Sequence, residues 1–500
     1  MDNRTVVNFD QHSTEYKASF PEISHDIRSR CPAAWTERYG GYWVISGREL
    51  IGEMAKHPEL LSNDHDPLGA RNGYQGIAIP SPRGATSRGG FIVMDPPDQL
   101  EYRRALNPFL SPTAVERWRP MVRELSHACI DEVIESGRLD FVDDLANIVP
   151  AVLTMGMLGF PLTDWVIYCE PAHALVYTPP SSPDFPRVLD QAMQMGARLA
   201  EEMGSARTNP RPGMLRALID AQTAGAPFVD DDILGTLSLL IGGGFDTTTS
   251  LTSHALIWLD DHHDHRRRLL DDPELLDTAT EEFVRFTTPA QGGGRTITRD
   301  CEIGGHAFRS GDRVWMAYGL ANHDPEAFER PDEIALDRFP NRHAGFGLGV
   351  HRCIGSNLAR MTFKTMLTAI LERLPDYRLD PGGAVRYEDI GTINGYQHLP
   401  ATFSPGNRQG RPLDQVIDGW GYTVRPLVGE PIKGIIMRVH IDPDVCQGHT
   451  LCALAAPGIF LLREDDGHAY VESPDVPAEL HDLVRKAVAT CPEGAISIDE

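Results

Sequence analysis

Phe346-Gly347-Leu348-Gly349-Val350-His351-Arg352-Cys353-Ile354-Gly355 decides how this chain is read. Three glycines within ten residues let backbone come close to a flat partner. Cys353 heads an apolar pattern of helical period that runs from Ile354 to Leu374. The start of a helix offers free N–H groups and the positive end of its dipole, and both stabilise a thiolate there. The alternative is a glycine-rich turn with a structural cysteine.

Working outward, Leu237-Ser238-Leu239-Leu240-Ile241-Gly242-Gly243-Gly244-Phe245-Asp246-Thr247-Thr248-Thr249 breaks local rules inside an apolar, helical stretch. Each glycine costs about 1 kcal/mol in a helix interior, and a buried carboxylate costs more. Such conflicts belong to functional sites. Threonine here can bond back to an earlier carbonyl and bend the helix. Further along, Glu282 and Arg285 stand at i,i+3 and share a helix face. Arg338 follows in Asp337-Arg338-Phe339-Pro340-Asn341.

Phe346, Gly349, Cys353 and Gly355 match Phe-x-x-Gly-x-x-x-Cys-x-Gly, and residues 10–406 resemble the cytochrome P-450 family. The resemblance implies a mainly α haem-thiolate fold with a small β region, and haem b with Cys353 as iron ligand. A thiolate in that position pushes electron density towards O–O cleavage. It also implies that Gly243 opens room beside the macrocycle. Thr247 would hydrogen-bond bound dioxygen, and Asp246 would supply protons. Arg103, Arg295 and His351 would hold the propionates; many members carry histidine where this chain has Gln99. Glu282, Arg285 and Arg338 would form a structural network behind the cysteine loop. The implied substrate pocket draws on 66–92, 170–190, Leu240–Thr247, Ala290–Gly294 and Gly391–Asn394, which suggests a hydrophobic, ring-containing molecule.

The end of the chain carries Cys446-Gln447-Gly448-His449-Thr450-Leu451-Cys452 and then Cys491-Pro492. Cysteine thiolates are the usual ligands of iron–sulfur clusters. His449 stands where the common run has its second cysteine. Three thiolates suit a 3Fe-4S cluster; a 4Fe-4S cluster with His449 or an outside ligand is the alternative, and a zinc site of three cysteines and a histidine is a third reading. Val439–Pro443 and Ala495–Ile498 read as paired strands, and 436–500 resembles the small, α+β, single-cluster bacterial ferredoxins. The expected organisation is a haem domain over 1–406, a Gly/Pro-rich linker over 407–435 and a ferredoxin domain over 436–500.

Composition bounds the rest. The 500 residues carry a net charge of −25, 41% hydrophobic and 23% charged residues. No basic patch points to nucleic acid. No apolar run reaches the ~18 residues of a spanning helix, and Met1–Phe20 lacks a signal-peptide core, so a cytoplasmic protein is expected. Cys31, Cys129, Cys169 and Cys301 belong to no motif. No dinucleotide-binding glycine motif is visible. O2 and an external NAD(P)H-dependent flavoprotein ferredoxin reductase are therefore the expected partners. An acidic ferredoxin is expected to dock on basic Arg342, Arg352, Arg360 and Lys364 around Cys353. The rival is a haem and iron–sulfur redox or ligand sensor without turnover, which would need no Asp246–Thr247 pair.

Overall fold

The computed structural model describes residues 4–65, 74–81, 89–226, 228–421 and 437–499, except 444, 447, 449, 464–466, 478–479 and 492–493. Its axis is the helix Asp230–Asp261, 32 residues long. Asp230, Asp231 and Asp232 place negative charge on its first turn, where the dipole favours it. Ile233, Leu237 and Ile241 before the glycines, and Leu251, Ala255, Leu256 and Leu259 after them, are buried. Burying each large apolar side chain contributes about 1.5–3 kcal/mol, which outweighs the glycine cost. Around this helix pack Ile148–Leu158, Trp165–Tyr177, Leu275–Thr287 and Ser356–Arg373, and Ser356–Arg373 also packs on Arg119–Val133.

The β region is small. Among the described residues its largest sheet has the order Ala33–Thr36, Tyr42–Ile45, Arg313–Met316, Gly293–Ile297, Leu61–Ser62. Trp43 pairs in parallel with Val314, and Arg295 pairs antiparallel with the same residue. This register sets Arg295 in the middle of its strand, between Gly294 and Thr296.

Several elements are shorter than their sequence patterns. The helical pattern of 112–136 divides into Pro112–Glu116 and Arg119–Val133, because Pro120 cannot donate the bond that would join them. The apolar run 296–303 is two strands, Gly293–Ile297 and Cys301–Ile303. The second turns back through Gly304 and Gly305, both at positive φ, into His306–Phe308. Tyr318 ends no strand; it opens the helical turn Tyr318–Ala321.

The expected linker also begins too early. Gln409 and Gly410 donate their N–H groups to Asp131 at 3.0 and 2.7 Å. Leu413–Trp420 is a helix that buries Val416 and Ile417. The Trp420 indole N–H donates to Glu124 at 2.8 Å, and Arg411 reaches the same carboxylate at 2.6 Å. Glycine and proline content marked this stretch as irregular, while its tryptophan and arginine anchor it.

Past 437 a separate small core forms from Val439, Phe460, Val476, Val484, Ala487 and Ile496. Arg438–Ile441 pairs antiparallel with Ile496–Asp499, Val439 opposite Ile498. The helix His481–Thr490 leads into Cys491.

Candidate functional site

The cysteine loop is held from both sides. Cys353 donates its backbone N–H to Phe346 at 2.7 Å. Gly347 and Gly349 have φ of +68° and +70°. A Cβ on Gly349 would lie 2.5 Å from the Ala55 carbonyl oxygen. Gly349 therefore serves the turn and its close packing on Ala55, and it is not among the described cavity-lining residues. The Arg360 guanidinium lies 4.3 Å from the Phe346 ring centre. Glu281 accepts two bonds from Arg360, at 2.6 and 2.7 Å, and faces His343 at 3.1 Å. Beside these partners the Glu281 carboxyl stays well below the usual carboxylate range despite burial.

Behind the loop, Glu282 and Arg285 are fully buried. Arg285 bonds both Glu282 oxygens at 2.8 and 2.9 Å, and Arg338 bonds them at 3.0 and 2.9 Å. Arg285 also donates to the carbonyls of Asn322, Pro331 and Glu333 at 2.7–2.9 Å. Asn341 and the Ala335 N–H complete the carboxylate's shell. The three residues thus tie the segment 322–341 to the helix below it.

A cavity of about 300 Å³ opens above Cys353. Arg103, Gly243, Thr247, Arg295, Phe346, His351, Cys353 and Gly355 all line it, with apolar walls from Phe91, Met157, Leu158, Leu239 and Leu240. Added Cβ atoms at Gly242 and Gly243 would meet nothing within 4 Å, so the glycine wall is open and flat. No aspartate or glutamate is among its lining residues. Yet two guanidiniums and an imidazole converge there. Burial pulls Arg103 down to about 10. Burial, then Arg295 and Arg103, hold His351 well below its usual value. Arg103 donates to the Arg352 carbonyl at 2.9 Å, and Arg295 to that of Gly294 at 2.8 Å. A thiol, a flat wall and unanswered cationic forks fit a planar macrocycle with two carboxylates and an iron. Gln99 gives its amide N–H to Val350 at 2.8 Å, and its buried oxygen, with no partner, can only accept. Of the expected pocket segments, Leu240–Thr247 and Ala290–Gly294 supply lining residues. Residues 170–190 and Gly391–Asn394 supply none, and 66–73 and 82–88 lie outside the described residues.

Thr247 faces the cavity and donates back to the Gly243 carbonyl at 3.1 Å. Asp246 does not line it. Its Oδ1 accepts from the Tyr387 hydroxyl at 2.7 Å and lies 2.7 Å from His173 Nδ1. Its Oδ2 is buried with no hydrogen-bond partner. His173 and Tyr387 were missed in the sequence. One is a lone histidine in an apolar helix and the other a loop tyrosine, and nothing local links either to Asp246.

In the small module Cys446, Cys452 and Cys491 join one apolar core. Ala469 donates its N–H to the Cys446 sulfur at 3.4 Å. Burial, then Cys446 and Cys491, push the Cys452 thiol up to about 12. Gly448 and Thr450 adopt positive φ, which curls the loop. Three neighbouring thiols, with an N–H aimed at one sulfur, fit a cluster that keeps them ionised. His449 lies outside the described residues.

The module meets the haem-site face beside Cys353. Arg352 donates to the Gly448 carbonyl at 3.3 Å, and Thr450 to Asn357 at 2.6 Å. Arg360 is held by Glu281, and Lys364 by Asp277 at 2.7 Å, both within the larger unit. No helix among the described residues is long and apolar enough to cross a membrane.

Comparison with known proteins agrees with this geometry. The cytochrome P-450 family model matches residues 162–389, and a 4Fe-4S single cluster domain matches 439–498. The chain is 31% identical to the vitamin D3 dihydroxylase of Streptomyces griseolus, over 72% of this chain and 87% of that protein. It is 30% identical to the linalool 8-monooxygenase of Pseudomonas putida, over 72% and 90%. A myxobacterial cytochrome P-450 solved with myristic acid superimposes with a TM-score of 0.69 at 26% identity, over 78% of this chain and 98% of that one. With the cysteine loop, the cationic cavity and the three-thiol module, these likenesses place the chain in the cytochrome P-450 family, as a haem monooxygenase carrying a ferredoxin-type iron–sulfur domain.

Proposed function

We propose that the chain inserts one oxygen atom from O2 into a hydrophobic, ring-containing molecule held above the Gly243–Thr247 wall. The observation that carries this is the single cavity joining Cys353, the Arg103–Arg295–His351 set and Thr247 beneath apolar walls free of carboxylates. Bound haem supplies the activation of dioxygen. Arg103, Arg295 and His351 hold the macrocycle's carboxylates, and Cys353 ligates its iron. Phe91, Met157, Leu158, Leu239 and Leu240 exclude water and bind the substrate's apolar body. Asn63 also lines this space, and its buried Oδ1 lacks a partner among the described residues, so it suits a substrate hydroxyl. Thr247, on the cavity side of the long helix, and Asp246, turned away from the cavity, hold and move protons. Glu282, Arg285 and Arg338 keep the cysteine loop in place.

Electrons enter from an external NAD(P)H-dependent flavoprotein ferredoxin reductase and pass through the small module. Cys446, Cys452 and Cys491 ligate a 3Fe-4S cluster there, and the missing fourth cysteine supports that nuclearity over 4Fe-4S. The chain divides, in this reading, into a haem domain through Gly421 and a ferredoxin domain from Met437.

The test is anaerobic reduction of the complete chain under carbon monoxide with NADPH and a ferredoxin reductase. A Soret shift to the thiolate–carbonyl position, lost in Cys446→Ala but regained with dithionite, is expected. Failure with dithionite overturns the haem–thiolate assignment. Electron paramagnetic resonance separates the clusters: an iron–sulfur signal beside that of the ferric haem in the oxidised protein marks 3Fe-4S, and an iron–sulfur signal that appears only on reduction marks 4Fe-4S.

A further inference from the structure

We propose that His173 is the proton entry of this enzyme: it loads Asp246 from outside the cavity, and Tyr387 is the positioning residue that holds the pair together. The inference rests on the monooxygenase reading above. Asp246 and Thr247 are neighbours in sequence but serve opposite sides of the long helix. Thr247 lines the cavity, and the Asp246 carboxyl points away from it, towards Trp165–Tyr177. The Asp246 side chain is 1% exposed and Tyr387 is fully buried, whereas the His173 side chain keeps 13% exposure. Of the three, only the imidazole meets water.

The contacts are short and shared. His173 Nδ1 and the Tyr387 hydroxyl both lie 2.7 Å from Asp246 Oδ1, and they are 3.3 Å from each other. Burial and the Asp246 charge keep Tyr387 far above the usual phenol range, so it stays a donor. Besides Asp246 and Tyr387, the titratable group set against the ring is Tyr177 of its own helix, with ring centres 4.9 Å apart. Phe245 covers another side of the ring.

The transfer balances without any electron. With Nδ1–H bonded to the carboxylate, solvent adds a proton at Nε2. The imidazolium then breaks its Nδ1–H bond as Asp246 Oδ1–H forms. An ion pair becomes two neutral groups, and its attraction falls. The neutral carboxyl, whose Oδ2 has no bond to lose, turns about its side-chain torsions towards Thr247. Exchange of ring protons with water restores the first tautomer.

The experiment uses the haem-loaded, ferrous carbon-monoxy form of the full chain with 13C,15N-labelled histidines. His173→Gln assigns the resonance. The expected wild-type signal shows Nδ1 protonated and hydrogen-bonded to the carboxylate. Asp246→Asn changes that signal, and Tyr387→Phe leaves the tautomer. In parallel, NAD(P)H oxidation by the chain with a ferredoxin reductase slows several-fold in His173→Gln and gains a larger solvent isotope effect. An Nε2–H tautomer, or a ring signal indifferent to Asp246→Asn, overturns the proposal. A missing thiolate–carbonyl Soret band in the same sample overturns the haem reading instead.

Discussion

Thr247 and Asp246 leave one helix about 100° apart, as successive residues must. That angle separates a hydroxyl facing the cavity from a carboxyl facing His173. Thr247 makes one bond, to Gly243, which an alanine forgoes cheaply. Thr247→Ala should therefore hold stability within about 1 kcal/mol. Coupled product formation should fall on the order of 10–100-fold, the scale of a positioned proton donor, with more hydrogen peroxide released per NAD(P)H. Product and peroxide assays on one sample check both. Cys353, Thr247 and Arg295 stood out in the sequence beside glycines, and Arg103 only through the family resemblance. His173 and Tyr387 did not stand out. They meet Asp246 only through the packing of Trp165–Tyr177 and the loop after Val385–Arg386, 73 and 141 residues away in sequence. Gly349 stood out as special, and the structure adds a packing demand from Ala55.

At the scale of elements, one carboxylate fastens the helix Leu275–Thr287 to the segment that feeds the cysteine loop. Removing its charge leaves two guanidiniums without their anion in a dry site. Glu282→Gln should destabilise the chain by about 3–5 kcal/mol, read from urea unfolding. Arg285 and Arg338 hold the Glu282 carboxyl below its ordinary value of 4.5. A depressed folded value means the stabilisation is complete above that value and is withdrawn as pH falls below it. Between about pH 5 and pH 3 the wild-type unfolding midpoint should drop steeply, and Glu282→Gln should drop with a shallower slope. Equal slopes would remove this carboxylate from the account. The helices themselves were legible from their period, while their ends were not. Pro120 and the pair Gly304–Gly305 cut elements that apolar content alone would have continued.

For the whole molecule, the question is what holds the ferredoxin module on the haem unit. A sequence lists arginines without saying which are already engaged. Arg360 and Lys364 are held within the larger unit, and among the described residues Arg352 and Thr450 reach across the boundary to a carbonyl and an amide. Transfer from module to haem should then change less than about twofold between about 0.05 and 0.5 M salt, since screening acts on exposed charges. Flash reduction of the module, with carbon-monoxy haem formation followed in time, measures it. A steep loss with salt would return the contact to ion pairing.

The helix Leu413–Trp420, pinned to Glu124, has one more consequence. It fixes one end of the connection, so fifteen residues, 422–436, join it to Met437, fewer than the whole glycine- and proline-rich stretch. Fifteen residues can span at most about 50 Å. One module confined within that radius corresponds to a few millimolar, on the order usual for short tethers. A free ferredoxin at micromolar abundance is outnumbered a thousandfold at this doorway, so the reductase's choice of module, rather than the haem's, decides which electron supply the enzyme answers to.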